Sequence, residues 1–165
     1  MSQRDDRQGV QQGRVGPDPV EAIRAAARRE PYARKLGMEC VEVGRGCCRV
    51  EMTLTHEMLN LFGTAHGGAV FSLIDEAFQI AGNSEGLTAY ALNLSVTYVA
   101  AGRAGDRLVA EAREVAATRR TASYEIRVTR PSGEVVALAQ ALAYRTGGLP
   151  PFLQEESGPV QAGRD

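Results

Sequence analysis

The sequence has no tryptophan, only 5% aromatic residues, two histidines, three cysteines and a single lysine, Lys35, beside its many arginines. Each shortage removes a class of protein. His56 and His66 stand apart from Cys40, Cys47 and Cys48, and the cysteines lack C-x-x-C spacing, so neither a zinc centre nor a disulfide framework is expected. The cysteines should instead be buried as small apolar side chains. No stretch of about 18 uncharged apolar residues exists for a membrane-spanning helix. Met1 to Pro19, with Arg4, Asp5, Asp6 and Arg7 among Gln and Gly, lacks the apolar centre of a secretory signal, which points to the cytoplasm. Acidic and basic residues nearly balance, at 20 and 19, for a net charge of -1. Bulk attraction to nucleic acid or to a membrane surface is therefore not expected.

What remains is 165 residues with 44% apolar content, suited to one soluble domain with a core that needs no metal or disulfide staple. Residues 1–17 and 149–165 are polar, Gly/Pro-marked and non-periodic, and read as mobile tails around a domain spanning 18–148. Asp18-Pro19-Val20-Glu21 announces a helix that should stop near Glu30, before Pro31. Met38 to Val43, the Gly44-Arg45-Gly46 turn and the alternation of Cys48, Val50, Met52 and Leu54 with polar residues read as a hairpin. Four later strands, about 90–98, 107–117, 122–128 and 135–145, are joined by short links that suggest an antiparallel meander.

Between the two strand groups, Gly67 to Asn83 has apolar residues around most of a helical circumference, too wide a surface for a helix lying outside. Ser72, Asp75, Glu76, Gln79 and Asn83 form its one polar stripe. A central helix wrapped by a single curved antiparallel sheet would hide everything else, an α+β architecture. Leu59 to Gly68 delivers His66, Gly67 and Gly68 to the helix start, where free N–H groups and absent side chains suit an anion or a developing oxyanion. The same glycines also suit a tight loop-to-helix entry with His66 as its cap. Asp75, two turns in, is either a solvated stripe residue or a base, and Asn60 either orients a ligand or shapes a turn.

Met58-Leu59-Asn60, His66-Gly67-Gly68, Val70-Phe71-Ser72-Leu73, Asp75, Ala77-Phe78, Asn83-Ser84, Gly105-Asp106, Thr121, Tyr124 and Gly147-Gly148 together resemble the phenylacetic-acid-degradation (PaaI-type) thioesterases of the hotdog superfamily. The likeness covers about residues 36 to 148. It implies a hotdog fold with about six strands, assembly as a homodimer or as a homotetramer built from two dimers, and hydrolysis of acyl-CoA thioesters, of aryl or phenylacetyl type, without metal or cofactor. Carried onto matching positions, Asp75 would be general base or nucleophile, the Gly67 N–H would polarise the thioester carbonyl, and Asn60 and His66 would position substrate or water. Gly68, Phe71, Glu76 and Thr121 would line the substrate site, and Arg119 and Arg120 would meet the phosphates of CoA. Ala100-Ala101 departs from the Arg-Pro of many relatives, and Ala122 stands where glycine is common.

Asp75 follows Gly67 by eight residues, about 12 Å of helix at ~1.5 Å per residue, so both cannot grip one carbonyl from the same chain. If both act, a two-fold axis must set Gly67 of one subunit opposite Asp75 of the other. Leu61, Phe62, Phe71 and Phe78 are candidates for an apolar acyl pocket. A Ser72–His66–Asp75 triad lacks the G-x-S-x-G elbow it would need. A hotdog dehydratase and a non-catalytic acyl-CoA binding module are the other readings.

Overall fold

The computed structural model describes residues 16–154; the outer parts of both expected tails lie outside them. The elements run α1 (Pro19–Ala27), α2 (Pro31–Lys35), β1 (Met38–Gly44), β2 (Cys47–Thr53), a 3-10 turn (His56–Met58), α3 (Gly67–Asn83), β3 (Ala89–Tyr98), β4 (Arg107–Ala117), β5 (Thr121–Thr129), β6 (Val135–Arg145) and α4 (Pro151–Gln154). The six strands form one antiparallel sheet in the order β1-β2-β4-β5-β6-β3. α3 packs against its inner face as the wide apolar circumference requires: Val70, Leu73, Ile74, Ala77, Phe78, Ile80 and Ala81 are all buried. The sheet makes room with small residues. Ala110 and Ala112 on β4 and Ala137, Ala139, Ala141 and Ala143 on β6 are buried beneath the bulky side chains of the helix. Each fully buried Leu, Ile or Phe contributes about 1.5–3 kcal/mol. Among the described residues no helix is long and apolar enough to cross a membrane.

The structure departs from the sequence reading in several places. Only β4, β5 and β6 form a meander; β3 pairs with β6 at the far edge rather than with β4, because β2 already occupies that side of β4. The link from β3 to β4 therefore crosses the end of the sheet. Asp18 takes the N-cap position without a capping bond and instead lies 3.5 Å from Arg45. α1 ends at Ala27, and Pro31 opens a further short helix, α2, as proline at a first helical position can. Residues 149–154, assigned to the tail by composition, include buried Pro150 and the short α4, whose Phe152 packs on the core. Of the three cysteines only Cys48 is buried; Cys40 is half-buried and Cys47 exposed, the last because alternation on β2 turns it away from the core.

Glu76 also departs from expectation. It is 5% exposed rather than part of a solvated stripe, lying behind the chain that joins α1 to α2. Gln79 Nε2 donates to Glu76 Oε2 at 2.9 Å and to Glu30 Oε2 at 2.5 Å, and the Tyr32 and Ser72 hydroxyls meet at 2.8 Å. These bonds fasten residues 30–32 along α3 on either side of Glu76. Burial, and then the negative charge of Glu30, push the Glu76 carboxyl up to about 7 from its ordinary 4.5, while the Gln79 bond works the other way.

Because the folded state holds this proton more tightly than the unfolded chain, the stabilisation is fully present below about pH 4.5 and is lost as pH rises through about 7. Asp75, also raised, acts in the same direction. Urea unfolding of Glu76→Gln should accordingly show a flatter stability profile between pH 5 and 8, with a gain over wild type at pH 8 on the order of 1–3 kcal/mol. Parallel profiles for the two proteins would contradict the assignment.

Candidate active site

The entry to α3 is shaped by a side chain that the loop folds around. Asn60 Oδ1 accepts from the Phe62 and Thr64 N–H groups at 2.9 and 3.2 Å, and its Nδ2 donates to Thr64 Oγ1 at 3.0 Å and to the Ala65 carbonyl at 3.3 Å. Gly63, at φ 71°, supplies the left-handed turn that this circuit needs. The Asn60 amide is thus engaged inside its own loop, and Leu61 and Phe62, at its tip, are 100% and 88% exposed.

His66 is the N-cap residue. Its N–H donates to the Met58 carbonyl at 2.8 Å, its Nδ1 accepts the Gly68 N–H at 2.9 Å, and its carbonyl accepts the Ala69 N–H at 2.9 Å and the Val70 N–H at 3.4 Å. An accepting Nδ1 assigns the proton of the neutral ring to Nε2, which is left as a donor. Of the first four N–H groups of α3, these bonds occupy three and leave the Gly67 N–H without a partner among the described residues. On its other side Gly67 is held by Tyr98, whose hydroxyl donates to the Gly67 carbonyl at 3.0 Å. A Cβ at Gly67 would stand 3.2 Å from that hydroxyl and 3.3 Å from Cζ, so the absent side chain is what lets the end of β3 come this close.

A second loop, 99–106, braces the first. The Gly102 carbonyl accepts the Ala65 N–H at 2.8 Å, and a Cβ at Gly102 would fall 2.6 Å from Leu54 Cδ1 and 3.0 Å from Ala65 Cβ. The loop is itself fixed by Asp106 Oδ2, which accepts the Arg103 N–H at 2.9 Å and the Arg130 Nε and an Nη at 3.1 and 3.0 Å, while the same guanidinium donates to the Ala101 carbonyl at 2.7 Å. The Arg103 N–H, with help from Arg130, holds the Asp106 carboxyl below the usual range. Gly105-Asp106 stood out in the sequence. Tyr98 and Arg130 did not, because nothing in their spacing links a strand end or a hairpin arginine to a helix start 31 or 63 residues earlier, counting 98 − 67 and 130 − 67.

Asp75 lies on the accessible side of α3, beside a cavity of about 530 Å³ walled by Ile23, Ala27, Phe78, Asn83, Tyr90 and Phe152 among others. Packing against these neighbours desolvates the carboxyl and raises it above the ordinary value. Gly67 does not line this cavity. With both on α3 and about 12 Å of helical rise between them, one chain does not bring its Gly67 and Asp75 together. Phe71 is half exposed, whereas Phe78 is a core residue whose ring meets the edge of Tyr124 at 5.2 Å. Ser72 Oγ donates to the Gly68 carbonyl at 2.8 Å and makes no bond to His66, so no serine triad is assembled. Arg119 and Arg120 are exposed in the β4–β5 turn, which the Thr118 and Thr121 hydroxyls close at 2.9 Å. That turn lies at the Ala89 end of the sheet, since Thr121 pairs with Tyr144 and Ala89 with Arg145. Among the described residues no three His, Cys, Asp or Glu side chains are grouped to hold a metal ion.

Strand β3 is a free edge of ten residues without a charge, and Tyr90, Leu92 and Tyr98 along it are each more than half exposed. Natural edge strands are ordinarily blunted by charge, proline or cover.

Residues 62–137 match the family model described as Thioesterase superfamily. A protein named "Putative esterase" from Archaeoglobus fulgidus is 41% identical over 110 residues, 67% of this chain and 71% of that one. The "Acyl-coenzyme A thioesterase PaaI" of Escherichia coli is 37% identical over 124 residues, 75% of this chain and 89% of its own. The solved structure of E. coli PaaI superposes with a TM-score of 0.77 at 33% identity, covering 80% of this chain and 96% of that one. A hypothetical thioesterase from Streptococcus pneumoniae, solved with coenzyme A, gives a TM-score of 0.66 at 28% identity over 68% of this chain and 88% of its own. With a curved six-stranded antiparallel sheet around one central helix and relatives of this identity and coverage, the chain belongs to the thioesterase superfamily and has its hotdog fold.

Proposed function

We propose that the protein hydrolyses acyl-CoA thioesters, of aryl or phenylacetyl type, to free acid and CoA in a site shared between two copies of the chain. The observation that carries this reading is the unpartnered Gly67 N–H at the start of a 17-residue helix. A donor at the positive end of a helix, with its neighbours already occupied, is preorganised for the oxygen of a thioester carbonyl, on which negative charge grows during attack. Family membership and the names of the relatives support acyl-CoA as the substrate class.

The second half of the chemistry falls to Asp75, as a base that takes a proton from water or as a nucleophile that forms a mixed anhydride. A raised pKa makes an ionised carboxylate a better base. Because about 12 Å of rigid helix separates Asp75 from Gly67, the two meet only if α3 of a second copy runs antiparallel beside the first. The uncharged edge of β3 supports that pairing: joining two such edges about a two-fold axis satisfies their free backbone groups and covers Tyr90, Leu92 and Tyr98. His66 offers Nε2–H to the substrate, Asn60 acts by fixing the loop, and Phe71 and Gly68 flank the bound acyl group. Glu76 lies behind the reacting groups. Arg119 and Arg120, at the Ala89 end of β3, then come near the α3 start of the partner, where CoA phosphates can be met.

Asp75→Asn should reduce kcat about 10²- to 10⁴-fold in a free-thiol assay with phenylacetyl-CoA, with the fold intact by circular dichroism. CoA binding without thiol release by the wild type would reject hydrolysis altogether.

Sharing is tested by complementation. Gly67→Pro deletes the donor, and the extended backbone of His66 accepts a following proline; because the added ring also crowds Tyr98, each single variant is first shown to fold by circular dichroism and to pair by sizing. Unfolding and refolding an equal mixture of the Asp75→Asn and Gly67→Pro chains should recover about a quarter of wild-type activity, since half the pairs are mixed and each mixed pair has one intact site. A mixture no more active than its components would place both groups in one chain and overturn the shared site.

A further inference from the structure

The mechanism above leaves a pair of thiols unused. Cys40 on β1 pairs across the hairpin with Val50, and Cys48 on β2 with Val43, and the register shifts between Cys40 and Glu42. Across this bulge the two sulfurs lie 3.8 Å apart, in van der Waals contact. The two positions are chemically unequal. Cys48 is buried in the core, whereas Cys40 is half-buried and forms part of the wall of a separate cavity of about 480 Å³, together with Arg28, Arg34 and Glu39. Cys40 therefore has a path to solvent, whereas Cys48 is 4% exposed.

Their proton affinities divide the same way. The hydrogen bond from Cys48, followed by the charges of Arg24 and Arg28, holds the Cys40 thiol down at about 7 against the opposing effect of burial. Cys48 is pushed up, first by its bond to Cys40, then by burial and by the nearby charges of Cys40 and Glu76. Near neutral pH a substantial share of molecules carries Cys40 as a thiolate facing the cavity, with the Cys48 thiol behind it. Arg28 and Arg34 outnumber Glu39 on the cavity wall, so the wall favours the negative charge that appears as a peroxide O–O bond breaks.

We propose that Cys40 and Cys48 are a reversible dithiol/disulfide couple in which Cys40 reacts first with a hydroperoxide entering the cavity and Cys48 closes the bridge. In the first step the Cys40 thiolate attacks the terminal peroxide oxygen; the S–O bond forms, the O–O bond breaks, and the departing alkoxide or hydroxide takes a proton from water as Arg28 or Arg34 stabilises its charge. In the second, the Cys48 sulfur attacks the sulfenic sulfur of Cys40; the S–S bond forms, the S–O bond breaks, and the leaving hydroxide departs as water with the Cys48 proton. The two thiols lose two electrons, which reduce the peroxide to an alcohol or water. A low-molecular-weight dithiol reverses the change.

The test uses the whole protein treated with a few equivalents of hydrogen peroxide and read by intact mass and peptide mapping. The expected product is lighter by about 2 Da, cross-linked between Cys40 and Cys48, and restored by dithiothreitol. Cys47→Ser, which removes the exposed neighbour, should leave this unchanged. Cys48→Ser should halt at the first step, leaving a Cys40 sulfenic acid that dimedone traps, and Cys48→Ala, which removes the donor, should move the half-maximum of Cys40 alkylation by iodoacetamide upward from about pH 7. A bridge through Cys47, direct over-oxidation of Cys40 without loss of mass in the wild type, or an alkylation profile indifferent to Cys48→Ala would each overturn the proposal.

Discussion

A helix that is apolar on nearly every side has to be enclosed, and the rest of the molecule follows from enclosing α3. Burying Leu73, Ile74, Phe78 and Ile80 on one helix demands a sheet that bends around it, and the alanines of β4 and β6 let the sheet approach closely enough to do so. Enclosure also decides where chemistry is possible. The flanks of α3 are committed to packing, so its reactive features are confined to its N-terminal end and to the strip of surface that carries Asp75. At that end the backbone donors are occupied by His66 until only Gly67 remains.

A single free donor polarises a carbonyl reliably only if its direction is fixed. Here the fixing is polar rather than apolar: Asn60 ties its loop together, Gly102 receives the Ala65 N–H, and Asp106 with Arg130 holds Gly102 in place from the far side of the sheet end. Tyr98 links the same glycine to the free edge strand. The proposed partner subunit would dock on that strand, so a residue of the docking surface would be hydrogen-bonded to the carbonyl of the residue whose N–H is proposed to meet the substrate. Assembly and orientation of the donor would then be connected through Tyr98.

The sequence was most legible where one physical rule acts alone. The short links that delimit 107–117 and 135–145 located β4 and β6 at their observed bounds, and a wide apolar arc with no proline located α3 from Gly67 to Asn83. It was least legible where two rules compete. Pro31 was read as a stop, yet it also opens α2; α2 and the residues before it then cover Glu76, which helical spacing alone places on the solvated stripe beside Asp75. Composition marked residues 149–154 as tail, but Pro150 and Phe152 find an apolar surface that only the assembled fold provides. Short links suggested that β3 and β4 are neighbours, and link length cannot reveal that β2 had already taken the place beside β4. Likewise no local pattern pairs Cys40 with Cys48, since their approach depends on a bulge.

The burial that makes Glu76 costly also bears on Asp75. Two carboxyls on consecutive helical residues do not titrate independently: the one that ionises first raises the other. Asp75, the more accessible, is raised by desolvation, whereas Glu76 is raised further, to about 7, with the charge of Asp75 among the causes. Near neutrality a substantial share of molecules carries Glu76 as the neutral acid, so the negative charge that would otherwise oppose an ionised Asp75 is reduced. A permanently charged side chain at position 76 would oppose ionisation of Asp75, and a fully apolar one would forfeit the Gln79 bond beside the contact to Glu30 that holds residues 30–32 against α3. A buried glutamate that gives up its charge near pH 7 meets both requirements at once.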